Sequence, residues 1–268
     1  MLPRLTLLLS LLVMPLAWAQ GLVVAPTRIV LEPNQRTTEA AVSNFTERTV
    51  RYRVTLDDLV MGADGTTKAV SGSFPYSVQP FVRFMPKTLT LAPGQRQTIR
   101  IMATRPADLA PGDYHSHLVL NEIFTPAPVT PTEASPTQSR AEQGFAVNIG
   151  FSYTTGVPLI VQVGKVSSTL TLQGAQLARD AAGRPTALRL QVRRSGNAEG
   201  AALVRGTVGG REAFKPRMVR LYREVTDATV AQGLLPEAIT ALAQGQPLQL
   251  EWVDGLDRTT VRQTLTVK

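Results

Sequence analysis

Residues 145–154 read FAVNIGFSYT. Phe145, Val147, Ile149, Phe151 and Tyr153 take every odd position, while Ala146, Asn148, Gly150, Ser152 and Thr154 fill the even ones. One face is large and mostly apolar; the other is small or polar. A repeat of two residues is the mark of a β-strand with one face covered. Gly156-Val157-Pro158 then breaks the run, and Leu159, Val161 and Val163 begin another.

The same period recurs on both sides of this stretch. Val50, Tyr52, Val54 and Leu56 alternate with two arginines and a threonine. Leu22–Leu31, Thr37–Asn44 (with Ala40 and Val42), Thr98–Met102 and Tyr114–Phe124 are further strand candidates. Gly62-Ala63-Asp64-Gly65 and Ala92-Pro93-Gly94-Gln95 supply turns. About seven short strands with frequent turns argue for an immunoglobulin-like sandwich. Residues 165–268 are also β-rich: Leu188, Leu190 and Val192 alternate, as do Val219, Leu221 and Val225, and Leu248, Leu250 and Trp252. Arg194-Ser195-Gly196-Asn197 reads as a turn and Leu234–Leu242 as a weak short helix. A second sandwich, or a more open barrel, follows. The expected fold class is therefore all-β, with two sandwich domains, residues 20–158 and 159–268, divided near Pro158.

Two segments stand apart. Residues 1–19 carry Arg4, an apolar stretch from Leu5 to Leu16 and the small-residue site Ala17-Trp18-Ala19. This is the pattern of a secretory signal cleaved after Ala19; the apolar run is short for a membrane span. Export to the periplasm is the expected localisation. Residues 125–143 read TPAPVTPTEASPTQSRAEQ, with four prolines and almost nothing bulky to bury, which predicts a long loop before the strand at 144–154.

Composition removes several classes of function. The chain has no cysteine, which excludes disulfide scaffolds, thiol chemistry and cysteine metal sites. Its net charge is +8, of which Arg4 contributes one within residues 1–19. A basic exported chain suits an acidic or carboxylate-bearing partner, whereas scattered arginines and 6% aromatic content argue against nucleic acid. His115 and His117 share a strand face but lack a third metal ligand, and Asp57-Asp58 reads as solvated turn acids rather than a catalytic pair. No hydrolase elbow, phosphate loop or zinc signature is present, so neither an enzyme, a cofactor nor a metal is expected.

Pro26-Thr27-Arg28-Ile29, Val42-Ser43-Asn44, Leu89–Ile101 (LTLAPGQRQTIRI) and Gly112–Leu120 (GDYHSHLVL) fall in the order found in periplasmic pilus-assembly chaperones of the chaperone–usher systems, which the chain resembles over residues 22–163. Val157-Pro158-Leu159-Ile160-Val161 is similar to the archaic-type branch. The resemblance implies a boomerang of two immunoglobulin-like domains with a cleft between them. It implies that pilin-like subunits are stabilised by a lent strand and delivered to an outer-membrane usher. Carried over by position, Phe145, Val147, Ile149 and Phe151 would be inserted into the subunit, and Arg28 would hold its terminal carboxylate. The family's partner lysine should fall near Gly150; no lysine stands there, and Lys165 is far along the chain.

The residues alone leave two alternatives for the strand at 145–153. It lends its odd face to a partner through edge pairing, or it packs that face into its own core. An exported structural or adhesion protein built from two sandwiches would take the second course. An unguarded apolar edge would also invite self-association, which the loop at 125–143 stands close enough to prevent.

Overall fold

The computed structural model describes residues 21–70, 72–123 and 153–254, and the backbone of 261–267. Residues 1–19, expected to be a signal, residues 125–143, expected to be a loop, and the candidate strand residues Phe145, Val147, Ile149 and Phe151 lie outside the described residues.

The first domain comprises β1 (Leu22–Ala25), β2 (Ile29–Leu31), β3 (Thr37–Asn44), β4 (Val50–Asp57), β5 (Leu59–Met61), β6 (Thr67–Ala69), β7 (Val82–Met85), β8 (Thr88–Leu91), β9 (Arg96–Ala103), β10 (Gly112–Glu122) and β11 (Thr154–Val163). β1-β3-β9-β7 form one sheet and β2-β11-β10-β4-β8 the other, with β5-β6 a separate hairpin. Alternation decides which side chains meet between the sheets. Val50, Tyr52 and Val54 of β4 are buried while Arg51 and Arg53 are exposed; Leu118 and Leu120 of the neighbouring β10 share their core, and Ile99 and Ile101 of β9 join it from the other sheet. The Pro93-Gly94 turn forms as expected, with Gly94 at φ +72°, a backbone conformation that glycine adopts without strain.

β11 corrects the division of the chain. It runs antiparallel to β10 and parallel to β2, straight through Pro158. Its Val157, Leu159, Val161 and Val163 are buried in the first core. The alternation continues across the proline, which lacks only an N–H, so the strand continues too. The domains part after Val163, at Gly164–Ser167.

The second domain comprises β12 (Ser168–Arg179), β13 (Pro185–Gly196), β14 (Gly200–Val208), β15 (Arg211–Leu221), β16 (Asp227–Gly233), α1 (Pro236–Ala243), β17 (Leu248–Asp254) and β18 (Val261–Val267). Sheets β12-β13-β16 and β15-β14-β17-β18 enclose Leu170, Leu188, Leu190, Phe214, Leu221, Leu248 and Trp252. It is the expected second sandwich, with a core of its own. The helix starts at Pro236, whose fixed φ suits the first helical turn. β13 continues through Arg194 and Ser195 to Gly196, where the sequence suggests a turn: Arg194 is 5% exposed and bonded on all sides. No helix among the described residues is long and apolar enough to cross a membrane.

Candidate functional site

The site begins with the two faces of β10. Tyr114, Leu118 and Leu120 point into the first core. Asp113, His115 and His117 take the other parity and are also buried, because the second domain covers them. Two turns of that domain make the contact, the link from β13 to β14 and the segment after β15.

The first turn approaches Asp113. The Asp113 amide donates to Asn197 O at 3.0 Å. Its Oδ2 accepts from the Glu199 amide at 2.9 Å. The second turn carries Tyr222, Arg223 and Glu224. His115 Nε2 lies 3.1 Å from Glu224 Oε2, and Glu224 Oε1 accepts from the Met61 amide at 3.0 Å. The His115 ring stacks on Tyr222 at 4.1 Å, and Tyr222 Oη is 3.3 Å from His117 Nε2. Arg223 donates to Asp113 O at 3.1 Å and lies 4.3 Å over the Tyr76 ring. The approach is so close that position 112 must be glycine: a Cβ there would stand 2.6 Å from Arg223 Nη1 and 2.6 Å from Asn197 O.

Arg28 enters this joint beside β2. Its guanidinium forms an ion pair with Glu199 and lies 5.9 Å from the Tyr222 ring centre. Glu199 also accepts from Arg220 Nη1 at 3.2 Å. Burial pulls the Arg28 pKa down to about 10, with the Arg220 charge adding to the effect and Tyr222 opposing it. The arginine expected to hold a subunit's carboxylate is paired here with Glu199, a carboxylate of the chain's own second domain. Pro158 immediately precedes the Leu159–Ile29 pair, so the neighbouring strand offers no lysine beside Arg28.

His115 and His117 share a face, as their spacing requires, and that face is the domain joint. Among the described residues no three metal-ligating side chains converge. Asp58 departs from the expected solvated turn: it accepts from Ser116 Oγ at 2.5 Å and Ser77 Oγ at 3.0 Å, tying the β4 end to β10. Glu199, Arg220, Tyr222 and Glu224 are the joint residues that sequence reasoning missed. Their partners lie more than a hundred residues away for Tyr222 and Glu224 (|i−j| 105 for Tyr222–His117, 109 for Glu224–His115), and no local pattern signals them.

The joint contains two groups whose titrations oppose one another. Burial chiefly raises Asp113 from 3.8 to about 6, and burial, then the charge of His115, lowers His117 from 6.5 to about 4. The folded state holds the Asp113 proton more tightly than the unfolded chain, so this group adds stability as pH falls from about 6 towards 4. The folded state resists protonating His117, so that group removes stability as pH falls from 6.5 towards 4. Asp113→Asn should therefore lose stability by roughly 1–2 kcal/mol between pH 7 and 4.5, and His117→Gln should gain by a similar amount over the same interval. Urea denaturation at several pH values reads both; slopes of the same sign in the two variants would contradict this assignment.

The other end of β10 holds the root of the segment 145–153. The β10–β11 ladder runs to Asn121 opposite Thr154. One step further, the Glu122 amide donates to Tyr153 O at 3.0 Å. Tyr153 is 66% exposed, whereas Val157, Leu159 and Val161 of the same parity are buried.

No protein-family model matches the sequence, and no curated protein matches it. Solved structures similar to it include the YadV chaperone, at 11% identity and a TM-score of 0.46 over 91% of this chain and 98% of that one. The E. coli chaperone DraB is similar at 13% identity and 0.45, over 93% and 97%. The complex of the Salmonella enterica SafA pilin with the SafB chaperone gives 13% and 0.45, over 92% and 97%.

Proposed function

We propose that this chain is a periplasmic chaperone that stabilises pilus-type subunits by lending them residues 145–153 as a strand, and that it delivers them to an outer-membrane usher. One observation supports this above the others. The odd-numbered face of β11 fills the first core from Val163 back to Val157, and by Tyr153 the same parity has come out into solvent. Period two places Phe151, Ile149, Val147 and Phe145 on the continuation of that row. A run of alternating large apolar residues just before that point in the sequence is suited to a core that lacks a strand. Backbone pairing along the edge supplies affinity, and the alternate side chains supply specificity.

Arg28 takes a second place in this reading. A subunit's terminal carboxylate would reach its guanidinium by exchange with Glu199, since one guanidinium fork matches one carboxylate. Strand pairing is then the main source of affinity. The test is capture: co-expressed with a pilin-like protein exported by the same cell, the affinity-tagged chain should retain that protein through purification. Recovery of the chain alone, with the subunit equally abundant in its absence, would overturn the reading.

A further inference from the structure

Where β10 and β11 separate, a buried carboxylate stands in the ladder. In a continuing antiparallel pair, Glu122 and Tyr153 would exchange two main-chain hydrogen bonds. The first forms, from the Glu122 amide to Tyr153 O at 3.0 Å. The second is diverted: the Tyr153 amide donates to Glu122 Oε2 at 3.3 Å. β10 meanwhile stays on β4, with Glu122 opposite Tyr52 and the Ile123 amide on Arg51 O at 2.7 Å.

The Glu122 side chain is 1% exposed, although it borders an open cavity lined by Leu22, Thr46, Arg48, Tyr52 and Tyr153. A buried carboxylate must be paired to persist. Its partner is Arg48 Nη2, 2.5 Å from Oε1. Arg48 is fixed in turn through its carbonyl, which accepts from Asn44 Nδ2 at 2.9 Å and Thr46 Oγ1 at 3.1 Å. Asn44 itself is fully buried and also donates to Leu91 O at 3.0 Å. A chain of bonds thus runs from the core through Asn44, Arg48 and Glu122 to the amide of Tyr153, the described residue next to the apolar run.

We infer that Glu122, held by Arg48, is a positioning residue that sets the point and direction at which the lent strand joins its own sheet. The inference rests on the strand-lending reading for its purpose, but its geometry concerns this chain alone. The Glu122 carboxylate takes the place that a main-chain carbonyl would fill on the Tyr153 amide, at the residue where the described strand begins. A strand presented in one direction loses less freedom on pairing than one free to swing.

The chain's lack of cysteine allows a direct test without any partner. Nitroxide labels on Asn148→Cys and on Thr90→Cys, an exposed site on β8, report the spread of distances from the lent segment to the sandwich. Glu122→Gln should broaden that distribution while near-UV circular dichroism and the thermal midpoint stay close to the parent's; Arg48→Met should broaden it too, with a lowered thermal midpoint because Glu122 is left buried without its partner. The Tyr153 amide should exchange with solvent about tenfold faster in Glu122→Gln, the effect of one charge-assisted hydrogen bond. A distribution as narrow as the parent's in either folded variant would overturn the inference. Capture is not measured here, so a failure of the chaperone reading and a failure of this one are told apart.

Discussion

Replacing Ile149 by aspartate is expected to abolish capture of a pilin-like subunit and to leave the chain's own unfolding transition where it was. The first half follows from what a lent strand must do. Each of Phe145, Val147 and Ile149 contributes about 1.5–3 kcal/mol when buried in a partner. An unpaired carboxylate in such a pocket costs several kcal/mol of its own and reverses the sign at the central position. The second half follows from the same reading: among the described residues the first core is closed by β11 from Val157 to Val163, and a lent strand keeps position 149 for the partner. Asn148→Asp, on the small and polar face, is the matched control and should retain most capture. Co-purification and thermal unfolding on the three proteins check the expectation. Retained capture by Ile149→Asp, or equal loss in the control, would contradict it.

The largest expected loss of stability comes from Arg194→Ala. This guanidinium is 5% exposed and donates to Val225 O at 2.9 Å, Gly196 O at 2.8 Å, Ala198 O at 2.9 Å and Arg223 O at 2.6 Å. It therefore stitches together the two segments that carry Asn197 and Glu199 on one side and Arg223 and Glu224 on the other, the second domain's contacts with the first. Truncation leaves four carbonyls without that donor, at a cost of about 3–5 kcal/mol once relaxation and water are allowed for. Lysine has one point charge where the fork is needed, so Arg194→Lys should recover only a minor part. Trp252 is fully buried in the second core and is the sole tryptophan outside residues 1–19, so its fluorescence in urea reports that domain alone. A midpoint unchanged from the parent would show that the two turns order themselves without the arginine.

The sandwiches were legible because half-buried strands write their burial into the sequence. Val50–Val54, Leu188–Val192 and Leu248–Trp252 each bury the residues their period assigns to the core. Two readings went astray at residues whose usual habit is overridden by packing. Pro158 reads as a break, but it stands inside β11, where neighbours on both sides and an unbroken apolar row keep the strand going. Arg194 reads as part of a turn because Ser195-Gly196-Asn197 follow it, but four carbonyls satisfy its guanidinium and hold it inside the strand end.

The joint between the domains was legible from one side only. The spacing of His115 and His117 put them on one face, and Arg28 was recognisable as a cation suited to a carboxylate. Their partners come from turns of the second domain, and a turn carries no periodicity that would mark Glu199, Tyr222 or Glu224 as interface residues. Glu122 went unmarked for a related reason: an acidic residue at a strand end resembles a solvated one, and only the arrival of Arg48 and the Tyr153 amide makes its burial intelligible.

The central claim is that residues 145–153 lend their odd face to another protein. Site-specific photocrosslinking tests it most directly, with a photoreactive side chain placed in turn at each position from 145 to 150 and the chain co-expressed with the pilin-like subunit. The account predicts crosslinks to the subunit from 145, 147 and 149, and few from 146, 148 and 150. Crosslinks from 145, 147 and 149 that form only within the chain's own first domain would contradict it.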